Sequence, residues 1–201
     1  SINRIFDVNI DKKNPRTSNR GLISGNISFK EAYAIALISL SIFYLIIINF
    51  NINALYLSPI VIILFLIYPL TKRFTFLCHY FLGLVYLIAP PAVEIALTGK
   101  FSLETLFLGI SGFFWVSGFD LIYAILDIDF DKKNKIHSIP SKFGIKITKF
   151  LAFISHLITL IFILSIGFII NLNPIYWFGC TIIIILFIRE HFILKNITKE
   201  N

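Results

Sequence analysis

Asn3, Asp7 and Asp11 fall four residues apart in SINRIFDVNIDKKNPRT. On an α-helix, side chains four apart lie one above another, so the three would form a single polar stripe. A second acidic ladder, Asp127 and Asp131, lies in DLIYAILDIDFDKK, and Asp120 and Tyr123 share a helix face with Asp127. Carboxylates converging beside a membrane repel one another, and each costs on the order of 3 kcal/mol on insertion scales. Divalent cations remove both penalties. Magnesium is commonly held by one or two carboxylates, with water and substrate phosphate completing its shell. Asp7, Asp11, Asp120, Asp127 and Asp131 are the acids that need such compensation. Arg16, Arg20, Lys72, Arg73, Lys132 and Lys133 lie near the acids in sequence or on neighbouring loops and offer cationic donors to phosphate oxygens, a pattern that suits a diphosphate. Tyr123 would donate a hydrogen bond to the departing phosphate. The blander alternative is that the acids cap helix ends and pair with nearby lysines at the interface; Asp129, off the stripe, is expected to be solvated.

The elements that must position these groups are apolar. Of 201 residues, 57% are hydrophobic and 14% charged, against roughly 25% charged in soluble domains. Runs of about 20 apolar residues match the bilayer's hydrocarbon thickness. They predict six transmembrane helices near 30–49, 54–70, 76–97, 103–127, 147–170 and 174–189. Short Asn-, Gly- or Pro-containing links alternate with longer or more charged ones at 10–30, 71–75 and 128–149. Six crossings place 1–30, 71–75, 128–149 and the C-terminal tail on one side, which carries every Lys and Arg except Lys100. The positive-inside rule makes that side cytoplasmic and orients the +7 net charge toward membrane topology rather than nucleic acid. Both ladders emerge on that face.

The two motifs resemble those of the UbiA family of intramembrane aromatic prenyltransferases. NRIFDVNIDKKNPRTSNR is similar to the family's NxxxDxxxD signature with its basic NPRT-like extension, DLIYAILDIDFD to DxxYAxxDxxxD, and YPLTKRFTFLCHYFLG to a third cytoplasmic feature. The wording is nearest to 4-hydroxybenzoate polyprenyltransferases and menaquinone-pathway relatives. Two positions depart: Gly21 stands where NRP is usual, and Lys135 where a glycine usually follows the second motif. The resemblance implies an all-α, polytopic bundle with about six of the family's nine helices, a single domain over 1–201 truncated at both ends. It also implies a multi-pass protein of the bacterial inner membrane. The implied chemistry is Mg2+-dependent transfer of a polyprenyl group from its diphosphate to an aromatic acid, with 4-hydroxybenzoate the expected acceptor. The resemblance implies that magnesium on Asp7, Asp11, Asp127 and Asp131 would grip the diphosphate with help from Asn3, Lys72 and Arg73, while Arg16 or Arg20 would hold the acceptor's carboxylate and Asp120 would lie on the acceptor side.

Other acceptors (naphthoate, haem or chlorophyllide precursors) fit the same motifs, and intramembrane acids also suit a divalent-cation transporter. Cys78 and Cys180 lack the spacing of a disulfide framework or zinc site. The four histidines lack ligand spacing and are expected to be structural, with His79 singled out because it follows the TKR loop. Glu94 is expected to snorkel to the outer interface. Pro90 and Pro91 are expected to break or kink their helix, and Trp115 and Trp177 to sit in interfacial belts.

Overall fold

A computed structural model describes residues 2–195, and the expected position of the C-terminal tail beyond them lies outside the described residues. The described chain is helical: α1 (Ile2–Asp11), α2 (Gly21–Ser24), α3 (Phe29–Ile47), α4 (Ile52–Thr71), α5 (Cys78–Thr98), α6 (Leu103–Ala124), α7 (Ile128–Asn134), α8 (Ile139–Ile169) and α9 (Pro174–Lys195). Six segments are long and apolar enough to span a bilayer: α3, α4, α5, α6 continued through α7, α8 and α9. The apolar runs located most ends of these spans to within a few residues; α8 begins eight residues earlier than expected, the span of α6 and α7 ends at Asn134 rather than 127, and α9 ends at Lys195 rather than 189. The 128–149 stretch is not a loop. Ser138 and Ser141 form a reciprocal capping box that starts α8 at Ile139, and the chain breaks helical geometry at Gly144 (φ 81°) before continuing inward.

Tight helix contact concentrates where α6 lies between α5 and α8, and small residues make the approach possible. A Cβ on Gly109 would stand 2.2 Å from the Leu87 carbonyl oxygen. Leu121, Ile139 and Ala152 form the buried core beside Phe76 and Tyr80. Helix α5 runs through Pro90 and Pro91 without breaking. Glu94 does not simply reach for solvent. Its Oε2 accepts from the Ser102 amide and hydroxyl at 2.8 Å each and from Thr105 Oγ1 at 2.5 Å, tying α5 to the start of α6. His156, buried on α8, stacks on Phe187 and bonds His191 of α9 at 3.0 Å, a structural role as expected.

Candidate functional site

Helix α1 ends at Asp11, and the NPRT segment turns the chain back over that end. Asn14 Oδ1 accepts from the Arg16 amide at 2.9 Å, an Asx turn set up by the following proline, and Thr17 Oγ1 donates to the Asp11 carbonyl at 2.9 Å. This fold-back delivers two arginines to the acidic stripe. Arg20 Nη1 meets Asp11 Oδ2 at 2.5 Å. Arg16 crosses to the other ladder, donating from Nε to Asp127 Oδ1 at 3.1 Å and from Nη2 to Asp127 Oδ2. Its Nη1 donates to the Tyr123 hydroxyl at 2.7 Å, and Asn14 Nδ2 adds a 3.0 Å bond to Asp127 Oδ1. The bidentate bond to Asp127 holds the Arg16 guanidinium's pKa above its usual value.

The remaining acids are held by α4, α5 and the α7–α8 link. Lys72, at the C-terminal end of α4, reaches Asp7 Oδ2 at 2.6 Å. Asp7 is almost fully buried, and among the described residues its Oδ1 has no hydrogen-bond partner. Burial pushes the Asp7 carboxyl above the ordinary range; Lys72 opposes that rise and nearby Asp11 adds to it. Asp131 Oδ2 accepts from Ser138 Oγ at 2.7 Å. Asp120 Oδ2 lies 2.7 Å from Nδ1 of His79, which is buried. The Ile139 amide donates to His79 Nε2 at 3.4 Å, so Nδ1 carries the proton that points at Asp120. Asn3 donates to the Tyr68 hydroxyl at 3.1 Å.

These side chains line one cavity of about 340 Å³. Of the residues that the sequence pointed to for the site, Lys132 and Lys133 are exposed and off this wall, and Arg73 turns away and donates from Nη2 to the Phe6 carbonyl at 2.6 Å; the others line it. Lys72 and Arg73 are consecutive, and neighbours in helical geometry diverge by about 100°, so they do not share a target. The second ladder is not on regular α-helix. The backbone tightens to a 3₁₀ turn over Ile125–Asp127, yet Asp127 and Asp131 still face the cavity. The acids do pair with basic residues, as the blander reading held. The pairs link distant parts of the chain at one cavity, however, and are not local caps. Asn14, Thr17, Tyr68 and Ser138 also line the wall, and no charge or spacing marked them in the sequence.

The lining suits a hard divalent cation. Five carboxylates face three permanently charged side chains, Arg16, Arg20 and Lys72, which leaves a negative excess that would repel a diphosphate. The donors are oxygens, and Asp7 Oδ1 is buried with an unused lone pair. Among the described residues no three acidic, histidine or cysteine side chains are already gathered closely enough to hold an ion. Arg16, Arg20 and Lys72 each pair with one aspartate, Asp127, Asp11 and Asp7 respectively.

A second cavity, of about 410 Å³, lies deeper between α5, α6, α8 and α9, with Tyr86, Pro90, Trp115 and Phe187 on its wall. Trp115 thus serves this apolar space, not an interfacial belt, because it falls at the middle of α6. On α5, His79 and Leu82 face the polar cavity and Tyr86 and Pro90 the apolar one, steps of three or four residues that keep all four on one helix face. At 1.5 Å per residue the apolar cavity begins about 10 Å farther into the bilayer than His79.

The sequence model of the UbiA prenyltransferase family matches residues 1–201. The chain belongs to the UbiA prenyltransferase family. UbiA relatives include a 4-hydroxybenzoate octaprenyltransferase of Histophilus somni (strain 2336), 32% identical over 200 residues that cover 100% of this chain and 70% of that protein. One of Francisella tularensis subsp. mediasiatica (strain FSC147) is 28% identical with the same coverage. The apo structure of a UbiA homolog from Aeropyrum pernix K1 superposes with a TM-score of 0.85 at 31% identity, covering 96% of this chain and 77% of that one. The chain is therefore a UbiA-type transferase and an integral, multi-pass membrane protein.

Proposed function

We propose that this UbiA protein transfers a polyprenyl group from its diphosphate to a ring carbon of 4-hydroxybenzoate, in a Mg2+-dependent reaction of quinone biosynthesis on the cytoplasmic face of a bacterial inner membrane. The observation that carries this reading is an acid-rich cavity followed by an apolar one along one face of α5, with α6 contributing to the walls of both. A molecule with an anionic head and a long isoprenoid tail matches that order of environments. The names of the relatives supply the acceptor.

Asp7, Asp11, Asp127 and Asp131 would hold magnesium, which when bound supplies positive charge to the diphosphate as negative charge builds on its departing oxygen. The protein's own cations would change partners: with Asp7 and Asp127 engaged by metal, Lys72 and Arg16 would be free to donate to diphosphate oxygens, where they would stabilise the transition state more than the ground state. Tyr123, whose oxygen already accepts from Arg16, keeps its own proton to donate. The allylic C–O bond breaks with its electron pair leaving on the diphosphate, and the ring carbon beside the acceptor's hydroxyl supplies the pair for the new C–C bond. Among the described residues Asp120 pairs with His79 and with no arginine or lysine, and it is the candidate to take the displaced ring proton. Arg20 is the candidate for the acceptor's carboxylate. The apolar surroundings exclude water that would quench the cation.

The test is product formation by the full-length protein in nanodiscs, supplied with a polyprenyl diphosphate and a panel of aromatic acids. Ring-prenylated 4-hydroxybenzoate that disappears in EDTA is expected. Full turnover in EDTA removes the magnesium assignment, and cation flux in proteoliposomes without any prenylated product replaces the enzyme with a transporter.

A further inference from the structure

Beside the reaction cavity, and sharing Lys72, Ile10, Phe130 and Ile136 with it, lies a groove of about 330 Å³. Its charged lining is Lys13, Lys72, Arg73 and Lys135, its other polar groups are the amides Asn9 and Asn134, and no carboxylate lines it. Of the four cations only Lys72 has a carboxylate partner; Lys13, Arg73 and Lys135 enter no ion pair among the described residues. The two cavities therefore carry opposite excess charge across a wall made in part by one lysine.

Lys135 carries a further mark. It sits at the end of α7 with φ 55° and ψ 37°, the left-handed conformation that disfavours a side chain and suits glycine. The fold accepts that cost and gains a cation on the groove wall.

We propose that this groove is a second oxyanion site, independent of metal, that takes inorganic diphosphate. Three cations without a carboxylate partner, with the Asn9 amide beside them, match a small, multiply charged phosphate ligand; the Asn134 amide is engaged by the Phe130 carbonyl, and a single carboxylate would leave most of the positive charge unmet. The assignment of its role rests on the prenyl-transfer reading: after C–O cleavage, the diphosphate follows Lys72 from the reaction cavity into the groove and leaves by the basic face. A lipid headgroup phosphate shares the chemistry and is separated by the test.

The full-length protein in phosphatidylcholine nanodiscs, in excess EDTA, is titrated with inorganic diphosphate by calorimetry. Saturable binding is expected, weakened at least tenfold in Lys13→Gln/Lys135→Gln. Lys132→Gln/Lys133→Gln, which removes the same charge outside the groove, is expected to change it less than about twofold. Retained binding in Asp7→Asn/Asp127→Asn shows the site to be separate from the prenyl-transfer machinery, so its failure and the failure of the enzyme reading are distinguishable. In turnover, Lys13→Gln/Lys135→Gln should weaken product inhibition by diphosphate with the single-turnover rate unchanged. Absence of saturable binding in EDTA, or equal loss in both double variants, overturns the site. Competition by added phosphatidylglycerol that vanishes in Lys13→Gln/Lys135→Gln assigns the groove to lipid and overturns the release role.

Discussion

Replacing Lys72 with methionine should move metal affinity and turnover in opposite directions. In the metal-free protein the Lys72 ammonium sits 2.6 Å from Asp7 Oδ2, so a cation entering at Asp7 must compete with it. The pair is neither exposed nor sealed: the side chain of Asp7 is 5% accessible and that of Lys72 26%. Exposed pairs contribute about 0.2–1 kcal/mol, and breaking buried ones costs about 3–5 kcal/mol. An intermediate 1–2 kcal/mol corresponds to roughly tenfold. At pH 8, Mn2+ titrations of the substrate-free protein followed by electron paramagnetic resonance should therefore show about tenfold tighter binding in Lys72→Met. Prenyl transfer should fall by about 100-fold or more, because the same cation is then missing from the diphosphate. The acid side of metal binding should also shift. Metal requires the ionised Asp7 carboxylate, whose pKa is already raised by burial and is held down by Lys72. Without Lys72 the carboxyl protonates at higher pH, so affinity present at pH 8 is lost sooner as pH falls. Unchanged or weaker Mn2+ binding at pH 8 in this variant would refute the exchange of partners.

Arg16→Lys keeps the charge but cannot bond both Asp127 oxygens and the Tyr123 hydroxyl together; steady-state kinetics should show turnover reduced by about tenfold or more, with membrane insertion intact. His79→Ala should lower kcat more than KM by freeing Asp120, and His79→Asn, whose amide can still donate to Asp120, should recover part of the loss; equal kcat in all three proteins would remove the positioning role. Gly109→Ala forces a methyl to within 2.2 Å of a backbone oxygen on α5, and thermal unfolding in detergent should report destabilisation of about 1–3 kcal/mol or more, since that carbonyl has no rotamer to change.

The legible parts of the fold were those set by solvent. Apolar length located the helices, and the charge of the links placed both ladders at one end. The start of α8 was hidden because SIPSK is polar, and only the Ser138–Ser141 caps, local hydrogen bonds without a hydropathy signal, make it helical. At the site, ionisable residues announced themselves because a charge near lipid demands a partner. Asn14, Tyr68 and Ser138 did not, since a neutral polar side chain is common in any loop or helix end, and its role follows from tertiary placement. Arg73 was misplaced for the opposite reason: charge type was considered without the divergence of adjacent helical residues. His79 was marked by its position, but its bond to Asp120 spans 41 residues and left no spacing signal.

The central claim is that acids from α1 and from the α6–α7 junction grip one metal–diphosphate unit. Its most direct test is the electron paramagnetic resonance of Mn2+ bound with a non-hydrolysable prenyl diphosphate, measured in the full-length protein and in Asp7→Asn and Asp127→Asn. Phosphorus hyperfine coupling in the unaltered protein, and its loss in each single variant, is the expected result. Coupling that survives either substitution would contradict a shared site.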